Sequence, residues 1–259
     1  MTGPAPLHEL AGRRILVTGA SSGIGAAAAI AFGGSGALVV VHYHANAAGA
    51  EATCAAIRKA GGRAFPLGKN LAAREAGAAL VEESATLLGG LDLLVNNAGD
   101  MIERRPLADV GDAQLDRVID LNIRPVVSAC AAAIPLLKGP TPGSIINVTS
   151  ISARSGGSLG SNLYGAAKSF VATYTRGLAR ELAPDRIRVN AIAPGVIETP
   201  LHARHTPPDV LAQLAATIPL RRVGQPDDCV GAFLFLACET MSGYMTGQTI
   251  EVNGGQYMA

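Results

Sequence analysis

Two residues in the stretch LYGAAKSF (163–170), Tyr164 and Lys168, have the chemistry and the spacing to move a proton. Four residues is about one helical turn, so phenol and ammonium can share a helix face. An ammonium near a phenol favours the phenolate and is expected to lower the tyrosine from its ordinary value of about 10. A phenol tuned in this way serves as a general acid near neutral pH. The same pair also occurs on helix surfaces that do no chemistry. The elements that would position it decide between the two readings.

Those elements alternate along the chain. Short β-rich runs are RILVTG (14–19), ALVVVHY (37–43), RAFPLG (63–68), LDLLVNN (91–97), SIINVTS (144–150), RIRVNAIAP (186–194) and QTIEVNG (248–254). Ala-rich helical stretches lie between them at 24–33, 46–60, 72–88, 112–137, 162–182 and 226–238. Strand and helix in alternation predict an α/β fold, a parallel sheet with helices on both faces. The strand runs are nearly all apolar, as strands buried on both faces should be. No compositional break marks a linker, so residues 1–259 read as a single domain.

The first strand runs into TGASSGIG (18–25), with Gly19, Gly23 and Gly25 ahead of a helix. Glycines at such a turn let the backbone approach a pyrophosphate seated at the helix N-terminus. The spacing is G-x-x-x-G-x-G rather than the G-x-G-x-x-G of the common dinucleotide fingerprint.

Composition narrows the remaining classes. The formal net charge is +1 with no run of like charges, which argues against nucleic acid or a membrane surface as a partner. Cys54, Cys130, Cys229 and Cys238 have no metal-ligand spacing and read as small core residues in a reducing, cytoplasmic compartment. No metal site is expected. MTGPAPLHEL (1–10) lacks the basic and apolar regions of a signal peptide. Glycine, at 31 residues, exceeds the roughly 7% average and predicts many tight turns.

With TGASSGIG, NNAG (96–99) and YGAAK (164–168) in that order on a matching βα pattern, the chain resembles the short-chain dehydrogenase/reductase family over nearly its whole length. The resemblance implies a Rossmann-type, doubly wound parallel sheet of about seven strands, NAD or NADP as cofactor, and hydride transfer between an alcohol and a carbonyl. It assigns the proton to Tyr164 and the ribose contact to Lys168. The catalytic serine falls on Ser150 or Ser152, and the N-V-[ST] pattern before it favours Ser150. Ser152 also reads as a loop hydroxyl bonding its own backbone. Asn122, in IDLNIRP, matches the family asparagine that orders a proton relay.

The implied dinucleotide contacts are Gly19, Ser21, Ser22, Gly23, Ile24 and Gly25 in the first turn, and His42, Tyr43 and His44 at the end of the second strand. They continue through Asn70 and Leu71, Asn97, Ala98 and Gly99, Tyr164 and Lys168, and Pro194, Gly195, Val196 and Thr199. Asn70 stands where the family usually has an aspartate facing the adenine. Residues from about 196 to 222 resemble a mobile substrate lid, in which His202, Arg204 and His205 read either as solvated surface or as substrate ligands. The family also implies a homotetramer, built on the helices around 112–137 and 162–182 and on the apolar end YMA.

Pro125 adds a reading from the residues alone. A proline within a helix removes the bond to the carbonyl four residues back, here Leu121. The helix either opens beside Asn122 or merely kinks.

The second strand ends VVVHYHAN (39–46), and the first acid beyond it is Glu51. NAD specificity usually needs a carboxylate about 20 residues past the first glycine to bond the ribose 2′-hydroxyl, and none stands there. NADP(H) is therefore favoured over NAD(H), with His42, His44, Asn46, Arg13 and Arg14 as candidate phosphate partners. The substrate is a small carbonyl or alcohol. The C-terminal motifs resemble 3-oxoacyl-carrier-protein reductases as well as sugar and steroid dehydrogenases. Arg104 and Arg105 are candidates to meet an acidic carrier protein. A dinucleotide-binding sensor without turnover is the alternative of another class.

Overall fold

Seven strands pair in one wholly parallel sheet of order β3-β2-β1-β4-β5-β6-β7. They are β1 (Arg14–Val17), β2 (Leu38–Tyr43), β3 (Arg63–Gly68), β4 (Leu93–Asn96), β5 (Ser144–Val148), β6 (Arg188–Pro194) and β7 (Thr249–Val252). The structure, a computed structural model, describes residues 6–139, 141 and 143–258. The first five residues of the N-terminal reading and Ala259 of the YMA end lie outside the described residues.

The helices are α1 (Gly23–Gly34), α2 (Ala47–Lys59), α3 (Ala76–Leu88), α4 (Asp112–Asn122), α5 (Arg124–Leu137), α6 (Ser152–Ser155), α7 (Asn162–Leu182), α8 (Pro200–His205), α9 (Pro208–Thr217) and α10 (Val230–Ala237). Successive strand residues point to opposite faces. Ile15, Val17, Val39 and Val41 join one core with Phe32 and Phe233. Leu16, Val40 and Leu94 join the other with Leu80, Val126 and Val171. Phe32 meets Phe233 edge to face, centroids 6.4 Å apart. Truncating either ring to alanine is expected to cost about 3–5 kcal/mol.

The expected helix over 112–137 is two helices. The helix breaks at Ile123, whose φ widens to −115° (ψ −61°), and Pro125 sits in the first turn of α5, where a missing N–H costs little. The chain thus opens beside Asn122. The combined stretch is apolar and long enough to cross a membrane by length and composition alone, yet its parts pack on α3 and α7. The helix expected from residue 72 begins only at Ala76, after Glu75 with φ 61°. The stretch expected to be helical over 226–238 starts as a short 3-10 turn, Pro226–Cys229, fixed by a capping box between Gln225 and Asp228. All of the strand ends that carry site residues point to one edge. The order reverses between β1 and β4, where parallel sheets open a crevice for ligands.

Candidate active site

A cleft of about 810 Å³ opens at that edge. One end of it is the turn from β1 into α1. Gly23 adopts φ +57°, and a Cβ at Gly25 would stand 2.4 Å from both the Gly19 carbonyl oxygen and Asn97 Nδ2. Only glycine fits there, so backbone lines the cleft directly. Ser22 begins α1 without a side-chain cap, which leaves the first-turn N–H groups facing the cleft. A diphosphate fits that donor set and the helix dipole behind it. Ser21, Ser22, Ile24, Asn70, Leu71, Asn97, Ala98, Gly99, Pro194, Gly195, Val196 and Thr199 all line the same cleft.

Thr18 organises this end and was not singled out in the sequence. Its Oγ1 donates to the Val95 carbonyl at 3.2 Å and accepts from the N–H groups of Asn97 and Ala98, each at 2.9 Å. Asn97 Nδ2 returns to the Thr18 carbonyl at 2.8 Å. The glycine turn after β1 and the turn after β4 are thereby fastened to each other. The only sequence signal is a threonine closing β1 just before the glycine turn.

His42 overturns its expected part as a phosphate ligand. Its Nδ1 accepts from the Gly19 N–H at 3.0 Å, and its Nε2–H donates to the Lys69 carbonyl at 3.0 Å. Burial holds the imidazole down to about 4, so it is neutral at physiological pH. It is a strut between the glycine turn and the β3 end. Tyr43, the next residue, points away from the cleft into the core. Arg14 pairs with Asp92 at 2.6 Å and is not among the cleft residues. Asn46 caps α2, its Oδ1 accepting from the Gly49 N–H at 3.0 Å, and it still reaches the cleft with His44. Asn70 closes a local turn, its Oδ1 accepting from the Ala72 N–H at 3.1 Å.

At the other end of the cleft α7 presents Tyr164 and Lys168. The Lys168 Nζ donates to the Val148 carbonyl at 2.9 Å and lies 5.7 Å from the Tyr164 ring centroid. Thr149 fixes α7 to β5, its Oγ1 donating to the Lys168 carbonyl at 2.8 Å. Burial pushes the Lys168 ammonium down to about 8. The expected lowering of the phenol is not found. Burial pushes Tyr164 up to about 12, opposed by a hydrogen bond from Ser150 and reinforced by the charge of Asp100. The helical spacing sets the ammonium over the ring instead of beside the hydroxyl, so desolvation outweighs it.

Ser150 and Ser152 are separated by geometry. The Ser150 hydroxyl is hydrogen-bonded to the Tyr164 phenol and accepts from the Ser152 N–H at 3.1 Å. Ser152 supplies backbone to this pair and starts α6. Asn122 is fully buried and does not line the cleft. Its Oδ1 accepts from the Asp100 N–H at 3.1 Å, and its Nδ2 donates to the carbonyls of Asp100 and Val118 at 3.0 and 3.1 Å. It braces the loop after NNAG against α4. A Cβ at Gly99 would meet both Asn122 Oδ1 at 2.8 Å and Lys168 Nζ at 3.0 Å, so the two side chains flank one backbone position.

The segment over 196–222 folds as α8 and α9 beside the cleft and lines it with Pro200, Leu201, His202, Arg204 and Leu214. Its cations are not simply solvated. Arg204 pairs with Asp100, and His205 Nε2 lies 2.9 Å from the other Asp100 oxygen. Asp100 escaped the sequence reading because an acid after NNAG has no pattern of its own.

The family model described as enoyl-(acyl carrier protein) reductase matches residues 19–256. The 3beta-hydroxysteroid dehydrogenase 1 of Eggerthella lenta is 38% identical, with 95% of this chain and 94% of that protein covered. The 3-oxoacyl-[acyl-carrier-protein] reductase of Synechocystis is 37% identical, with 94% and 96% covered. A solved NADH-dependent reductase, A1-R′, complexed with NAD, superposes with a TM-score of 0.86 at 33% identity, covering 98% of this chain and all of that one. The chain belongs to the short-chain dehydrogenase/reductase family, oxidoreductases that bind a nicotinamide dinucleotide and act on CH–OH and carbonyl groups.

Proposed function

We propose that the protein is a single-domain carbonyl reductase that uses NADP(H) in preference to NAD(H), with Tyr164 as the proton donor. The observation that carries this reading is the presence of Ser150, Tyr164 and Lys168 on the same cleft as the glycine cradle. When bound, the dihydronicotinamide supplies a hydride to the carbonyl carbon and is itself oxidised. The Tyr164 O–H protonates the carbonyl oxygen as charge grows on it. A buried phenol keeps its proton at neutral pH and so stands ready as the donor that reduction needs. Ser150 donates to the same oxygen and stabilises the developing charge. Lys168 places an ammonium beneath the phenol ring and holds the nicotinamide ribose. Asn122 acts at one remove, by fixing the Asp100 loop. The segment over 196–222, through α8 and α9, walls the substrate end of the cleft.

The preference for NADP(H) is supported by the β2 end of the cleft, where His42, His44, Ala45 and Asn46 line the surface with no carboxylate among the described residues. A1-R′ is NADH-dependent, so the choice turns on whether that end admits a 2′-phosphate. A 3-oxoacyl, sugar or steroid carbonyl suits the relatives' activities, carrier-linked in the first case. A homotetramer is supported by the exposed Leu115 and Leu136 on α4 and α5, and by Phe170 stacked on Tyr174 on α7. Four buried cysteines suit a cytoplasmic setting. A screen of ketones and aldehydes with each cofactor tests the reading. Turnover with a nicotinamide cofactor is expected, and cofactor binding without turnover of any carbonyl would make the protein a sensor instead.

A further inference from the structure

The substrate end of the cleft carries a cation with no carboxylate partner among the described residues. Arg104 lines the cleft and is half-buried. Its Nε donates to the His205 carbonyl at 2.9 Å, and its Nη1 donates to Ser158 Oγ at 2.5 Å and to the Leu159 carbonyl at 3.2 Å. All three partners are neutral. Its Nη2 has no acceptor among the described residues.

Among the described residues, the one acid lining the cleft is already engaged. Asp100 accepts from Arg204, from His205 and from the Ile102 N–H at 2.9 Å. Among the described residues no ion pair joins it to Arg104. The charge of Arg104 is felt inside the cleft, where it joins burial in lowering the basicity of His202. The same cleft surface carries apolar Met101, Leu121, Leu201 and Leu214 beside polar Ser155, Ser161 and Gln256. Arg105, in contrast, is neutralised outside by Glu103 at 2.8 Å. Of the two arginines considered for a carrier protein, one is paired and the other faces inward.

A guanidinium in partly desolvated surroundings without a counter-ion lowers its free energy by taking a carboxylate, which accepts in a two-pronged geometry. We propose that the physiological substrate is a small carbonyl compound bearing a carboxylate, and that Arg104 is the residue that selects it. This deepens the carbonyl-reductase reading and rests on it. Arg104 holds the acid end while Ser150 and Tyr164 meet the carbonyl end.

The test is a series of linear oxo-acids with the carbonyl two to five carbons from the carboxylate. Each is assayed beside its methyl ester, and the 3-oxo member also as its N-acetylcysteamine thioester. The wild-type protein is expected to favour the best acid over its ester at least tenfold in kcat/KM. In Arg104→Gln that ratio should fall at least tenfold, mostly through a higher KM for the acid, and Arg104→Lys should keep part of it. An Arg104 that only tied segments together would lower acid and ester turnover in equal proportion, and that result would overturn the proposal. Esters or the thioester turned over as well as the acids by the wild type would also overturn it, while leaving carbonyl reduction standing. No turnover of any member, with another ketone or aldehyde reduced, would overturn the proposal alone, and no turnover of any carbonyl with either cofactor would overturn both.

Discussion

The Lys168 Nζ lies 5.7 Å from the centre of the Tyr164 ring and donates to the Val148 carbonyl. The ammonium is therefore tied to the end of β5 and faces the ring's π surface, a cation–π arrangement. Removing the phenol hydroxyl leaves this contact in place. Tyr164→Phe should therefore lower kcat at least a hundredfold, the range for losing a general acid, while the dinucleotide dissociation constant changes less than about threefold. Lys168→Ala should damage both quantities. Stopped-flow turnover and fluorescence titration measure them separately, and a Tyr164→Phe variant near wild-type rate would remove the tyrosine from the mechanism.

Asp100 raises the phenol through its charge. Its neutral analogue should do the opposite. In Asp100→Asn the phenol loses its proton at lower pH, so the alkaline limb of kcat/KM for carbonyl reduction should move to lower pH. The direction follows from reduction needing the protonated phenol. The same substitution loosens α8, because Arg204 and His205 lose a charged partner, so KM for the carbonyl should rise. A pH–rate profile unchanged in position would show that Asp100 does not act on Tyr164.

His42 ties folding to acid pH. Its folded value of about 4 lies below the ordinary value of 6.5, so between those limits the unfolded chain binds more protons than the folded one. Stability from this site is fully present above pH 6.5 and is lost as the pH falls towards 4. The full effect is on the order of 3 kcal/mol. Thermal melts of His42→Asn from pH 7 to 4 should therefore fall less steeply than those of the wild type. Because the imidazole also anchors Gly19, the variant should bind the dinucleotide more weakly at every pH.

Much of this was legible because parallel strands buried on both faces read as unbroken apolar runs. β3 has the expected bounds, Arg63–Gly68, and the glycine turn, NNAG and the α7 pair all reach one cleft. Residue type and spacing sufficed for these. What was not legible depends on where a side chain points. His42 and His44 look alike in the sequence and both border the cleft, yet hydrogen bonds to Gly19 and Lys69 commit the buried His42 to the fold, while His44, just past the end of β2, is exposed there. The sign of the Tyr164 shift needed the depth of burial, which spacing does not report. Arg104 and Arg105 are adjacent, and only the fold turns one inward and pairs the other with Glu103.

Cofactor preference turns on the rim left by His44, Ala45 and Asn46. With His42 neutral and bonded at both ring nitrogens, attraction for a 2′-phosphate falls to His44 and to the amide and backbone groups at the start of α2. Repulsion is absent, since no described carboxylate lines that rim. A carboxylate placed there should accept from a free 2′-hydroxyl and repel a phosphate. The wild type is expected to show a higher kcat/KM with NADPH than with NADH. His44→Asp should shift that ratio at least tenfold towards NADH, about 1.4 kcal/mol in transition-state binding. The shift should shrink at high ionic strength, because the exposed carboxylate and phosphate are screened beyond about 10 Å at 0.1 M salt. A wild-type protein already tenfold better with NADH would reverse the assignment. It would place the contact to the 2′-hydroxyl on the His44 ring or the Asn46 amide instead.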